Sequence, residues 1–565
     1  MKQITLFSLI LCSSFIFAQN NFKIVFLADS QYANNPIWIN QIKTWGATGI
    51  NLRIYRHILE SSTHIFNTTE WNKVVACLTR IYNSGLDIYI RVNMFGCPPG
   101  YWTDYSTEDY QQSIDGVMYS PYYSANWPSL NLSSPIALSH RIAFFTEVLN
   151  RLSKLPTNIK NKIQLIVPTI SQDDETELML NMKRFTGDPN ATWGWLSGYS
   201  EHDQNAFIQY LNNKYKNDVA NLNNIWGSTF SGINRSNINI KNYDWQNLKD
   251  IYSFFPKGRK DFIDFLSGQL KSFIDTCASI VHNKNFKMGV QLGSVYDGHI
   301  EFGAFYEVAP LLEKVDFVFC DEIAEYRPNF NFAADYLRSV CNYWNWKRNK
   351  EGSTLGSLNF GPETNWPGYN HITPDSLVKN WQVTLQSYYD RGASILSISH
   401  WGTIDMVVPW YSNNSLTEPD IHFIIGDLII TNELTNNGPY IRSSEYIQWK
   451  NTLNNFKSLT VKTLPFSNSA IHLNPVMSLY SRTTGLEYTR HSHNLQDSVG
   501  YLPTWDGKNS DHKDIWEFPL YKFIKPRAPY SNNTYYNENC DFITDFMLEK
   551  SPEYFKEKYN TILLG

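Results

Sequence analysis

Residues 354–402 read TLGSLNFGPETNWPGYNHITPDSLVKNWQVTLQSYYDRGASILSISHWG, a strand, a loop, a helix and a second strand. TLGSLNF is a short apolar run expected to stop at Gly361-Pro362, with Glu363 just beyond the stop. Leu377, Trp381, Leu385 and Tyr388 then fall on one face of a helix, and Gly392 is its stop. ASILSIS is the next strand and runs into His400-Trp401. A carboxylate and a tryptophan at the C-terminal ends of consecutive parallel strands are where a (β/α)8 barrel keeps its chemistry.

Working outward, the same alternation recurs. Strands are expected at 22–28, 50–56, 86–93, 162–170, 287–295 and 315–323, which makes Glu363 and His400 the exits of strands seven and eight. Between them lie helices led by IWINQIKTWGATG, WNKVVACLTRIYNSG and IALSHRIAFFTEVLNRLSK, and helical stretches at 201–226 and 259–282. Strictly alternating strands and helices call for an α/β fold, a parallel (β/α)8 TIM barrel before an open doubly wound sheet. No glycine-rich phosphate loop follows any strand, which counts against the open sheet.

The chain of 565 residues exceeds one ordinary domain. The expected division is a signal peptide over 1–18, the barrel over 19–415, a linker with a connecting helix over 416–460, and a smaller α/β domain over 461–565. In residues 1–18, Lys2 precedes the apolar core ITLFSLILCSSFIF and Ala18 offers a cleavage point, so export to the periplasm or beyond is expected. No later apolar run is long enough to span a membrane. A net charge of -5 points away from nucleic acid. The six cysteines after residue 18 form no CxxC pair and read as scattered thiols. Aromatic residues make up 15% of the chain, many of them in loops. Loops of that kind suit sugar rings, and they also suit plain packing.

The acids near strand ends are Asp29, Asp173, Asp174, Glu175, Glu177, Asp321, Glu322, Glu325 and Glu363. Glycosidic bond hydrolysis needs two carboxyl groups flanking one sugar, with environments that keep one protonated and the other ionised. Strands four and seven lie on opposite parts of a barrel mouth, so acids from them can face each other.

Four motifs carry a family resemblance. GCPPGYWTDY follows strand three, FIQYLNNKYKNDVANLNNIWGSTF spans 207–230, VDFVFCDEIAEYRP covers strand six, and NWPGYNHITPDSLVKNWQVTLQSYYDRGASILSISHWG closes the barrel. In this order they resemble glycoside hydrolase family 42, the β-galactosidase family of clan A. The likeness covers roughly residues 20 to 410, and the C-terminal part resembles the start of that family's flavodoxin-like domain. The resemblance implies a nucleophile ending strand seven, which falls to Glu363, and an acid/base glutamate ending strand four. For the latter, Asp174-Glu175 mimics the family's Asn-Glu, and Glu177 stays open. It also implies an arginine beside the nucleophile, Arg53 with Arg56 as competitor, a tyrosine on the nucleophile, Tyr326, and a sugar-site floor, Trp401. Asn93, Trp102, Asp174 and Trp366 complete the expected substrate-binding set.

The family's zinc-binding cysteine cluster has no counterpart between 178 and 205. No metal and no cofactor is expected on that ground. The reading is an exported retaining β-glycosidase acting on β-galactoside-like bonds; its alternative is a non-catalytic carbohydrate-binding barrel. The family often forms trimers, but the chain stops just after a strand, so an incomplete domain and no stable trimer are expected.

Overall fold

A computed structural model describes residues 21–96, 101–112, 116, 118–120, 128–171, 174–176, 181–184, 195–196, 198–242, 256–293, 308–321, 330–365, 374–399, 443–473 and 541–564. Eight strands form one parallel sheet: β1 (Lys23–Ala28), β2 (Gly49–Tyr55), β3 (Asp87–Asn93), β4 (Ile163–Thr169), β5 (Gly289–Leu292), β6 (Phe317–Asp321), β7 (Asn359–Asn365) and β8 (Ile395–Ser399). Their order is β4-β3-β2-β1-β8-β7-β6-β5. The two ends of that order meet through a parallel bridge between Ile166 and Met288, which makes the sheet a (β/α)8 barrel.

Side-chain alternation sorts each strand into two faces. Phe26, Ile50, Leu52, Ile88, Ile90, Ile166, Val290, Val318, Phe360 and Leu396 are buried against the surrounding helices. Val25, Tyr89, Leu165, Val167, Phe317, Phe319 and Ile395 fill the barrel's inside with a separate apolar cluster. Above that cluster the inward positions turn polar: Asn51, Arg53, Arg91, Thr169, Gln291, Glu363 and Ser397 are all buried. An apolar floor beneath a polar layer leaves the chemistry at the C-terminal end of the strands.

Capping side chains set the helix starts. Asn67 accepts from the Thr69 and Glu70 amides, Ser134 accepts from Ala137, and Ser200 forms a capping box with Asp203. The helix Pro374–Asp390 ends at Gly392, whose φ of 87° is the left-handed exit expected of it.

Strand seven is displaced from its expected place. It runs over Asn359–Asn365, straight through Gly361-Pro362, so Glu363 lies inside the strand and not beyond it. Gly361 is needed because the backbone there passes so close to β8 that a Cβ would run into the Ile395 carbonyl oxygen.

After the barrel, the helix Ser443–Ser458 packs beside β1 and the helix Pro374–Asp390. The amide of Phe22 donates to the Leu459 carbonyl at 2.8 Å, and the Tyr389 hydroxyl donates to Thr460 O at 2.8 Å. Three further strands, β9 (Ser469–Leu473), β10 (Asp541–Thr544) and β11 (Thr561–Leu564), form a parallel sheet with β9 in the middle. Among the described residues, β11 pairs with β9 alone.

A buried charge cluster fastens β10 to the barrel helix Phe330–Glu351. Arg338 pairs with Asp335 at 3.0 Å and with Asp541 at 2.7 Å, and Arg391 pairs with Asp335 at 2.8 Å. Cys77, Cys277, Cys320 and Cys341 are buried, and Cys97 and Cys540 lie outside the described residues.

Candidate active site

Glu363 points inward from β7 and is 4% exposed. Its carboxylate accepts from the Ser397 hydroxyl of β8 at 2.7 Å and from Nη2 of Arg91 on β3. Arg91 is fully buried, and the same Nη2 donates to Gln291 Oε1 of β5 at 2.9 Å. The buried guanidinium lies directly on one oxygen of the buried carboxylate and compensates its charge.

The segment after β4 folds back to bring Glu175 to the strand end. The amides of Ile170 and Ser171 both donate to the Glu175 carbonyl, at 2.9 and 3.1 Å. The Ser171 hydroxyl accepts from the Glu175 amide at 2.8 Å and donates to the Glu175 carboxylate. The turn needs a left-handed residue, and Asp174 supplies it with a φ of 68°, a conformation that aspartate tolerates better than most side chains. Thr176 then joins β5: its amide donates to the Gln291 carbonyl at 2.6 Å, and its hydroxyl accepts from the Gln291 amide at 3.0 Å. An unbroken run of contacts, Glu175–Thr176–Gln291–Arg91–Glu363, therefore links the two candidate glutamates through β5 and β3.

Asp174 is 1% exposed and is held from two strands. Arg53 Nη1 of β2 reaches it at 3.1 Å, and Nδ2 of Asn93, the last residue of β3, donates to its other oxygen. Asn93 is itself fixed by the Phe95 amide, which donates to its Oδ1 at 3.0 Å. Arg53 grips Asp29 with Nε at 2.8 Å and Nη2 at 3.0 Å, and the Tyr55 hydroxyl adds a donor to Asp29 at 3.1 Å. Asp29, Arg53, Asn93 and Asp174 form one polar network at the ends of β1 to β4.

Two expectations are corrected by this geometry. Arg53 was expected beside Glu363; its described ion pairs go to Asp29 and Asp174, and Arg91 takes the place on Glu363. Arg53 and Arg91 are register partners on neighbouring strands, so a one-strand displacement separates the two roles. The competitor Arg56 pairs with Glu60.

Trp102 was expected to offer a ring face to substrate; it is 1% exposed. Its indole donates to Ser61 O at 3.3 Å, its ring stacks on His64 at 5.9 Å, and the Arg56 guanidinium lies 4.1 Å from its centre. With its N–H satisfied and a cation on its face, Trp102 is the core of a small packed cluster with Tyr110, Leu130 and Ala137. Glu177, Tyr326, Trp366 and Trp401 lie outside the described residues.

Sequence reasoning missed Arg91, Gln291, Ser171 and Ser397. The available signal was an arginine between apolar neighbours in IYIRVN. Such a residue in a barrel strand must face inward and find an anion. Another part of the motif set has a packing role: Lys214, Tyr215 and Trp226 converge on Asp261, with Lys214 Nζ at 2.7 Å, the Tyr215 hydroxyl at 2.6 Å and the Trp226 indole at 2.8 Å.

No family model matches the sequence, and no curated protein is similar to it in sequence. Solved structures are similar in fold. Gan42B, described as a GH42 β-galactosidase, matches at 13% identity and a TM-score of 0.55, over 96% of this chain and 67% of its own. The β-galactosidase of the Antarctic haloarchaeon Halorubrum lacusprofundi matches at 12% identity and a TM-score of 0.53, over 86% of this chain and 63% of its own. That of Rahnella sp. R3 matches at 11% identity and a TM-score of 0.50, over 83% and 63%. The chain thus spans about two thirds of the length of these β-galactosidases. At such identities the likeness is one of fold: the chain is built on a (β/α)8 barrel of the kind found in solved glycoside hydrolases.

Proposed function

We propose that the protein is a retaining β-glycosidase, with Glu363 as nucleophile and Glu175 as acid/base, acting on β-galactoside-like or related bonds of oligo- or polysaccharides. The observation that carries this reading is a pair of buried carboxylates of one barrel, Glu363 within β7 and Glu175 after β4, joined through Thr176, Gln291 and Arg91. Glu363 has a guanidinium and a hydroxyl on its carboxylate, and Glu175 has a hydroxyl. The Arg91 guanidinium compensates the negative charge that an attacking carboxylate carries, and the Ser171 hydroxyl orients the Glu175 carboxyl.

In the first step a Glu363 oxygen bonds to the anomeric carbon as the bond to the leaving oxygen breaks, and the Glu175 proton passes to that oxygen. In the second, ionised Glu175 takes a proton from water. The resulting oxygen attacks the anomeric carbon, and the ester bond to Glu363 breaks. Glu177 is the alternative for the role of Glu175. The Asp29–Arg53–Asp174–Asn93 network would position sugar hydroxyls beside the reacting carbon. Residues 1–18 would direct the enzyme out of the cytoplasm; among the described residues, no helix is long and apolar enough to cross a membrane.

The test is a panel of nitrophenyl glycosides that includes galactosides, fucosides and arabinosides. Hydrolysis with retained anomeric configuration, lost in Glu363→Gln, supports the proposal. Restoration of turnover in Glu175→Gln by an activated leaving group, but not in Glu177→Gln, assigns the acid. Binding to polysaccharide with no turnover of any panel member would make the barrel a carbohydrate-binding module instead.

A further inference from the structure

Away from the two glutamates, His64, Asp104 and His140 come together from three distant parts of the chain. His64 sits in the turn between Glu60 and Phe66, Asp104 in the loop after β3, and His140 on the helix Pro135–Ser153. One ligand atom from each lies within 4.8 Å of the others. His64 Nε2 is 3.0 Å from Asp104 Oδ1, and His140 Nδ1 is 3.5 Å from Asp104 Oδ2. We propose that these three side chains form a zinc site that pins the aromatic loop after β3 to the barrel's flank.

Donor chemistry, spacing and charge all support this. Two imidazole nitrogens and a carboxylate oxygen form a donor set for Zn2+, whereas Ca2+ and Mg2+ prefer oxygens. Metal–ligand bonds of about 2.0–2.2 Å in a tetrahedron put neighbouring ligand atoms roughly 3.3 Å apart. Measured to one oxygen, Asp104 Oδ2, the separations are 3.1 Å from His64 Nε2 and 3.5 Å from His140 Nδ1, on either side of that value.

His64 takes a left-handed backbone, φ 58°, to present its ring, and its Nδ1 lies 3.2 Å from Glu60 Oε1. With Nδ1–H donated to Glu60, the lone pair of Nε2 faces Asp104, which is the carboxylate–histidine arrangement that orients metal-binding imidazoles. Nδ1 also lies 3.2 Å from Arg56 Nη2. Bound metal would select the tautomer that donates to Glu60.

Arg56 against Glu60 and Asp104 leaves one net negative charge to receive a divalent cation. The Tyr105 hydroxyl, 3.1 Å from His140 Nδ1, is the protein oxygen at hand for the fourth position. Trp102 stacks on the His64 ring, so a metal there would fix the aromatic loop as a unit. The site does not depend on the glycosidase reading.

The experiment is a Zn2+ titration of the full chain after treatment with chelator, followed by calorimetry and by melting temperature. One saturable equivalent that raises the melting temperature is expected, with affinity at least about tenfold weaker in Asp104→Asn and in His140→Gln. Should a variant fail to fold, Co2+ added to the unaltered chain decides. Visible bands of a four-coordinate nitrogen and oxygen site, with no thiolate charge-transfer band, support the assignment. The proposal falls if no equivalent saturates, if both variants bind as the unaltered chain does, or if cobalt reports thiolate ligands.

Discussion

Removing the guanidinium of Arg91 tests the central contact of the candidate active site. Arg91 is fully exclusive of solvent and Glu363 is 4% exposed, so neither charge can recover its hydration when the other is lost. In Arg91→Met, Glu363 keeps only the Ser397 hydroxyl among its described partners. Breaking a buried pair in this way costs about 3–5 kcal/mol, whereas an exposed pair is worth about 0–1 kcal/mol. Glu363→Gln leaves Arg91 with neutral partners and should cost a comparable amount. The double variant removes both charges and should lose much less than the sum. Urea unfolding of the four proteins closes the cycle, with an expected coupling of about 2–4 kcal/mol. A coupling below about 0.5 kcal/mol would mean that water screens the pair. Arg91 and Glu363 would then not act as a buried charge pair, whatever the activity of the variants.

Three further outcomes are expected. Trp102→Ala should destabilise the fold by about 3–5 kcal/mol, as a buried aromatic does, with a change in KM smaller than the loss of melting temperature suggests; a pure KM effect would return Trp102 to the sugar site. Gly361→Ala should cost at least about 1–3 kcal/mol in denaturant unfolding, because the new methyl meets the Ile395 backbone and not a side chain that can turn away; a neutral change would show that β7 and β8 lie further apart. Asp541 is pushed up to about 6, chiefly by burial, against the pull of Arg338. The folded state therefore takes up a proton that the unfolded chain, at about 3.9, does not hold, and stability should fall by up to roughly 3 kcal/mol as pH rises from about 4 through about 6. Asp541→Asn should flatten that slope in urea unfolding, and an unchanged slope would place its origin elsewhere.

The barrel was legible in the sequence because its signal is local. Runs such as FKIVFLA and LDIYIRVN separated by amphipathic helices recur down the chain, the alternation that a parallel α/β sheet requires. Glu363, and Glu175 with Glu177 as its alternative, stood out as candidates for the same reason, as carboxylates following apolar runs. The boundary at Gly361-Pro362 misled because glycine and proline usually interrupt strands; here the glycine serves a close approach to β8 that only the assembled sheet creates.

What the sequence determined by itself is the order of elements and the inward or outward parity of each strand residue, since both follow from periodicity. Which arginine meets which acid is a different kind of information. Arg53 and Arg91 have the same parity and similar neighbours, and only strand stagger around the closed barrel sends one to Asp29 and Asp174 and the other to Glu363. Trp102 likewise has the look of a loop aromatic until Arg56, Ser61 and His64 close over it. Contacts between residues far apart in the chain depend on the distances that closure imposes, and no local pattern encodes them. His64, Asp104 and His140 share no motif spacing, and they become neighbours only in the folded chain.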